Sequence, residues 1–196
     1  MNKTGVIYGI NGPVVYLKGN TGFKMSEMVY VGKERLVGEV IALTKDTTTV
    51  QVFEETTGLK PGETVTASGD ALSVTLGPGI LNNIFDGIER PLSEIAKQSG
   101  KYISRGLTVD SLDTEKKWDV HVTVSEGEEL MGGAIIAETQ ETRSIVHKSM
   151  VPPDVNGTVI WAAKDGKYTI LDPIVKLKLE DGTEKEITLA QKWPIR

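Results

Sequence analysis

The sequence predicts a mainly all-β protein, and three observations indicate this fold class. Glycine accounts for 21 of the 196 residues, which exceeds the usual share of about 7 %. The glycines stand between short apolar runs, as is typical of strands joined by tight turns. Hydrophobic residues make up 39 % of the chain, which is ordinary for a globular protein with a buried core. We therefore expect short strands around buried cores.

Residues 1–68 predict a six-stranded barrel. In the first hairpin, the Asn11-Gly12 pair supplies the positive φ that a tight reversal needs. Six short strands with turn residues at regular spacing favour a closed barrel, because closure leaves no sheet edge exposed. The predicted strands cover residues 5–10, 14–17, 27–31, 36–43, 48–53 and 63–67.

Residues 69–109 predict a connector with two short helices. Apolar residues at positions 80, 81, 84 and 85 have helical spacing, and Gly87 then provides a typical helix stop. Ser93 is the expected N-cap of a second helix that reaches Gln98. Because such a segment is too short to build its own core, we expect it to pack on something larger.

Residues 110–189 predict a second β domain. Its apolar strands, its Glu-Gly-Glu turn and the later Pro-x-x-x-Gly-x-Val segment resemble the barrel-sandwich of biotinyl and lipoyl carrier domains. A carrier needs a lysine at the hairpin tip, but residues 139–143 read TQETR, so the sequence argues against a carrier function. The predicted strands cover residues 118–124, 134–139, 144–147, 157–162, 168–171, 174–179 and 186–189.

Composition excludes several classes of function. The 22 Lys and Arg residues against 27 Asp and Glu residues give a net charge of −5, which argues against nucleic-acid binding. Cysteine is absent, which removes disulfides, thiolate nucleophiles and Cys-ligated zinc. Only two histidines are present, too few for a three-histidine metal site. No apolar run reaches the ~20 residues of a spanning helix, so we expect a cytoplasmic protein.

The residues that might carry chemistry are better explained by structure. Gly77-Pro78-Gly79 lacks the lysine and hydroxyl of a phosphate-binding loop and predicts a structural turn. The histidines, His121 and His147, have no evident catalytic partner in the sequence. The acidic pairs lie in polar turns and predict a solvated surface, and the tryptophans predict core or interface anchors. The acidic pairs are Glu54-Glu55, Glu128-Glu129 and Glu180-Asp181, and the tryptophans are Trp118, Trp161 and Trp193.

The connector carries a more specific pattern. Residues 77–92, which read GPGILNNIFDGIERPL, closely resemble the catalytic A subunit of V-type and A-type rotary ATPases. Residues 5–15 and 25–41 are similar to the N-terminal barrel of that protein, and residues 61–65 fit its last turn. The F-type subunits share the barrel but lack the IFDGIxRPL pattern and the long insertion after it. The resemblance covers essentially the whole chain.

The resemblance implies four parts. Residues 1–68 are the barrel, residues 69–109 a connector that packs on the nucleotide-binding domain, and residues 110–189 an inserted bulge domain. Residues 190–196 are the start of the nucleotide-binding domain, whose phosphate loop and catalytic glutamate would follow. We therefore expect an N-terminal fragment with no catalytic, cofactor-binding or metal-binding residues and no cofactor of its own. It should be inactive alone, whereas the parent subunit binds Mg-ATP.

The family also implies partners. Its A subunits alternate with B subunits in an A3B3 ring, and ATP hydrolysis drives protons or sodium ions through a membrane sector. The resemblance implies that the barrel holds this ring together and that the bulge contacts the peripheral stalk, with no direct membrane insertion. The protein would then lie in the cytoplasm, peripheral to the membrane. A stand-alone β-rich binding module and a degenerate biotinyl or lipoyl domain are the alternatives.

Overall fold

The computed structural model describes residues 3–19, 21–81, 83–100 and 104–195. The described chain is mostly β, which confirms the predicted fold class. It divides into two compact units. The first contains Met1–Val74, Ile95–Thr108 and Pro194–Arg196, and the second contains Thr75–Glu94 and Val109–Trp193. The segment predicted as a connector, residues 69–109, is thus shared between the two units.

The regular elements alternate with short turns along most of the chain. In order, they are β1 (Thr4–Asn11), β2 (Val14–Lys18), β3 (Glu27–Val31), β4 (Leu36–Leu43), β5 (Thr47–Val52), β6 (Thr64–Ala71), β7 (Ser73–Leu76), α1 (Leu92–Ser99), β8 (Trp118–Val122), β9 (Glu129–Leu130), β10 (Ile135–Gln140), β11 (Val146–Met150), β12 (Gly157–Ala162), β13 (Gly166–Tyr168), β14 (Val175–Leu179), β15 (Glu184–Ile187) and β16 (Gln191–Pro194).

Strands β1 to β6 close into an antiparallel barrel with the order β1-β2-β5-β4-β3-β6. Side chains alternate between the interior and the surface, as strand geometry requires. Val15 and Leu17 of β2 and Val50 and Val52 of β5 are buried in the interior. The six-stranded barrel predicted from the sequence is therefore confirmed.

Two four-stranded antiparallel sheets form most of the second unit, with the orders β11-β10-β8-β13 and β15-β14-β12-β9. Val120 and Ile136 from one sheet pack in the same core as Val159, Leu177 and Ile187 from the other. This arrangement confirms the predicted barrel-sandwich-like domain.

Three short strands were not predicted from the sequence. Strands β7 and β16 pair with each other in a two-stranded sheet. Strand β9 has only two residues and pairs with β12.

One of the two predicted helices is wrong. None of the described residues from Ile80 to Phe85 is helical, and Phe85 instead forms an isolated antiparallel bridge with Pro91. The second helix is confirmed as α1. Its predicted cap is misplaced, because Ser93 is the second residue inside the helix rather than the residue before it.

Candidate functional site

The segment that suggested a function, residues 75–81 and 83–91, is called the strap below. Its first half is a buried turn. A Cβ at Gly77 would lie 3.1 Å from side-chain atoms of both Leu112 and Ala190. Gly79 has a φ of +105° and leaves only 3.2 Å between a hypothetical Cβ and the Trp118 ring. Both positions therefore need glycine, for close packing and, at Gly79, for its backbone conformation.

A carboxylate from another part of the second unit holds this turn. Oε1 of Glu141 accepts hydrogen bonds from the N–H groups of Gly79, at 2.8 Å, and Leu81, at 3.0 Å. Oε2 of Glu141 lies 3.2 Å from Nδ1 of His147. The Glu141 side chain is only 3 % exposed, so its charge is stabilised by these donors rather than by water.

The same contact decides whether the Gly-Pro-Gly turn fits a nucleotide phosphate. A phosphate loop offers free backbone N–H groups to the anion. Here the N–H groups of Gly79 and Leu81 already bind Glu141, and the carboxylate would repel a second anion. The turn therefore does not fit the phosphates of Mg-ATP, and Gly77-Pro78-Gly79 is the structural turn that the sequence predicts.

The second half of the strap closes on itself around Asp86. Oδ1 of Asp86 accepts the N–H groups of Ile88, at 3.1 Å, and Arg90, at 2.9 Å. Its Oδ2 lies 2.8 Å from Nε of Arg90. Burial raises the pKa of Asp86, but the hydrogen bonds from Arg90 and Ile88 outweigh this effect, so the pKa lies below its ordinary value. Residues 84–91 of the IFDGIERPL pattern thus form a closed loop rather than a helix.

Glu89 attaches this loop to the start of the strap. It has a φ of +63°, an uncommon conformation for a residue with a side chain. Both carboxylate oxygens accept the N–H group of Thr75, at 2.8 and 2.7 Å. Burial raises the pKa of Glu89, although the hydrogen bonds from Thr75 and Ser111 oppose the shift. The left-handed backbone therefore serves to direct a carboxylate back to Thr75.

Both histidines have carboxylate partners that the sequence did not reveal. On the exposed surface, Nδ1 of His121 lies 2.7 Å from Oδ2 of Asp165. This hydrogen bond raises the pKa of His121, and the hydrogen bonds from Val122 and His121 lower the pKa of Asp165. His147 pairs with Glu141, as described above. Asp165 is 44 residues from His121, so no local pattern could have joined them.

The other residues singled out in the sequence occupy structural or surface positions. Glu54 accepts the N–H group of Gly106 at 2.9 Å, whereas Glu128-Glu129 and Glu180-Asp181 are exposed. Trp118 is buried, and Trp161 is partly exposed. The tip of the β10–β11 hairpin, where a carrier would have lysine, contains Arg143.

Two searches for particular kinds of site were negative over the described part of the chain. No three His, Asp or Glu side chains there are grouped so that they would hold a metal ion. Within the same residues, no helix has both the length and the apolar character needed to cross a bilayer.

Comparison with known families matches both units. Residues 7–69 match the beta-barrel domain of the ATP synthase alpha/beta family. Residues 109–196 match the barrel-sandwich domain of the ATP synthase alpha/beta subunit. The two matches correspond to the barrel and to most of the second unit.

Individual relatives match over nearly all of the chain. It is 49 % identical over 196 residues to the V-type ATP synthase alpha chain of Halothermothrix orenii. It is 50 % identical over 192 residues to the A subunit of the A-type ATP synthase of Methanopyrus kandleri. These matches cover 100 % and 98 % of the chain but only 33 % and 32 % of the relatives. The chain thus spans about a third of the length of these relatives.

Proposed function

This chain belongs to the family of alpha or A subunits of V-type and A-type ATP synthases, and on that premise we propose that it serves assembly and coupling in the whole enzyme. The barrel holds the ring of A and B subunits together, and the second unit contacts the peripheral stalk. Mg-ATP binding and hydrolysis belong to the rest of the protein. The observation that carries this proposal is the closed barrel joined to a barrel-sandwich, with each matching its family domain.

The barrel is suited to a ring contact because it is stiff and has apolar groups on its outside. All six of its strands are paired on both sides, so it has no free edge to fray. Val6 and Tyr8 on β1 are 54 % and 51 % exposed. A neighbouring protein that covered these side chains would gain hydrophobic stabilisation.

The second unit is suited to a stalk contact because it has its own core and a charged exterior. Its outward-facing strand residues form cross-strand ion pairs, such as Lys176 with Glu186 at 2.7 Å. Such a surface favours polar and reversible contacts over permanent burial. In the whole enzyme we place this unit in the sector peripheral to the membrane.

Competition for ring positions tests the assembly role. The 196-residue chain is added to purified full-length A and B subunits in about tenfold excess over the A subunit. At this ratio it should take most of the A positions if it binds B subunits as well as the full-length A subunit does. Native mass spectrometry should then show a lower yield of hexamer. Tyr8→Glu should compete less well, whereas Lys167→Glu, in the second unit, should compete like the unaltered chain. An unchanged hexamer yield in the presence of the unaltered chain would contradict the ring role.

A further inference from the structure

The tip of the β10–β11 hairpin is held by its own side chains. Nε2 of Gln140 donates to the carbonyl oxygens of Thr142, at 2.5 Å, and Ile145, at 3.2 Å. Oγ1 of Thr142 accepts the N–H groups of Ser144 and Ile145, at 3.4 and 3.1 Å. These bonds give the five-residue tip a defined conformation although it lies outside the strands.

Glu141 takes part in this tip and in the strap at the same time. Its backbone N–H donates to the carbonyl oxygen of Ile145 at 3.1 Å, which closes the tip. Its side chain binds the N–H groups of Gly79 and Leu81, which are about sixty residues away in sequence. A change in the backbone at Glu141 therefore moves the carboxylate that anchors the strap.

We propose that Glu141 couples the order of the hairpin tip to the order of the strap, so that a disturbance of the tip changes the mobility of the strap. The coupling stands independently of the proposed assembly role.

The accessibility of the two ends suits such a device. Arg143 and Ser144 are exposed at the tip, and Ile145 is 45 % exposed, so a partner can reach them. The Glu141 carboxylate is buried and contacts the strap and His147, so the tip backbone gives a solvent-accessible route by which it can be displaced.

The strength of the contact makes the coupling measurable. Hydrogen bonds to a charged acceptor are stronger than neutral ones, and a buried N–H group that loses its partner retains its desolvation cost. Coupling between two sites is also reciprocal: if the tip orders the strap, the strap orders the tip to the same degree.

Residue-resolved hydrogen exchange of the whole chain tests the proposal. Glu141→Ala should accelerate exchange of the Gly79 and Leu81 amides about tenfold or more, and should also accelerate exchange at Ile145. Glu141→Gln retains an acceptor oxygen and should give an intermediate effect. Glu138→Gln is the matched control three residues earlier, on β10, because Glu138 faces Lys148 at 3.6 Å instead of the strap. It should leave the strap amides unchanged.

Perturbing the tip itself separates coupling from simple loss of a bond. Thr142→Ala removes two tip hydrogen bonds and leaves the carboxylate in place. As a single substitution, Thr142→Ala should accelerate exchange at the Gly79 and Leu81 amides. Added to Glu141→Gln, it should cause no further acceleration, because the hydrogen bonds between residue 141 and the strap are already weakened. Unchanged strap exchange in Thr142→Ala, or equal acceleration throughout residues 109–193 in both Glu141 variants, would overturn the proposal.

Discussion

At the scale of single residues, three carboxylates bind backbone N–H groups of the strap, most of which lies outside regular strands and helices. Asp86, Glu89 and Glu141 together accept five different backbone N–H groups: those of Thr75, Gly79, Leu81, Ile88 and Arg90. Backbone N–H groups in such a segment need partners as much as those in a sheet do. The acidic residues of the strap region therefore have structural roles that their place in the sequence does not show.

Removing the Asp86 carboxylate should destabilise the second unit and change its response to acid. Asp86→Asn should lose about 1–2 kcal/mol at neutral pH, because a charged acceptor of two backbone N–H groups and Arg90 becomes neutral. The lowered pKa means that the ionised group stabilises the folded state above the unfolded pKa. This contribution is lost as the pH falls through the folded pKa.

Urea unfolding followed by tryptophan fluorescence checks this expectation, because all three tryptophans lie in the second unit. The difference between Asp86→Asn and the unaltered chain should shrink as the pH is lowered below about 4, the ordinary carboxyl pKa. Asp119→Asn, at an exposed carboxylate, is the control and should change stability little. A difference for Asp86→Asn that did not depend on pH would contradict the assigned role.

Gly79→Ala should separate backbone strain from steric crowding. The φ of +105° disfavours any side chain, and the added methyl would also press on Trp118. Gly127→Ala provides the control, because Gly127 has a φ of +91° and no atom within 4 Å of a hypothetical Cβ. We expect Gly127→Ala to cost about 1–2 kcal/mol from backbone strain and Gly79→Ala to cost more. Equal losses in chemical unfolding would show that Trp118 relaxes without cost.

At the scale of elements, prediction from the sequence succeeds where the signal is local. The barrel strands were found because alternating apolar residues and turn residues fix both their length and their ends. The helix expected near residues 80–85 was wrong because Gly79 and the carboxylate of Glu141 hold the backbone in a turn, which outweighs the apolar spacing. Strands β7 and β16 were missed because each is four residues long and pairs across more than a hundred residues.

In the strap, too, local features could be predicted from the sequence and long-range contacts could not. The Gly-Pro-Gly turn and the unusual IFDGIERPL pattern were visible in the sequence. The anchors of the strap were not, because Glu141 is 62 residues from Gly79 and looks like any polar residue in a hairpin. The left-handed conformation of Glu89 was equally hidden, since an acidic residue gives no local signal for positive φ.

A cavity in the barrel core should destabilise the barrel specifically. Leu17 is fully buried, and Leu17→Ala should cost about 2–5 kcal/mol. Leu171→Ala, at a leucine that is 61 % exposed, should change stability by less than about 0.5 kcal/mol. Hydrogen exchange should accelerate at the Val15 and Val50 amides in Leu17→Ala and remain unchanged at Ile136. Equal acceleration at Ile136 would mean that the two units do not unfold separately.

At the scale of the whole molecule, family membership was predictable but the assembly was not. The resemblance of residues 77–92 and of the barrel pointed to the correct family, and the domain matches agree with it. The ring and stalk contacts depend on other proteins of the enzyme, so no pattern within this chain defines them. The chain also spans only about a third of the relatives' length. We propose that ATP binding and hydrolysis belong to the part of the enzyme that this chain does not cover.

The central claim is that this chain supplies assembly and coupling rather than nucleotide chemistry. Calorimetric titration of Mg-ATP into the 196-residue chain tests it most directly. The account predicts no saturable heat, because the sequence has no phosphate-binding lysine loop and the N–H groups of Gly79 and Leu81 in its Gly-Pro-Gly turn already bind Glu141. Saturable binding with a dissociation constant in the micromolar range would contradict the account.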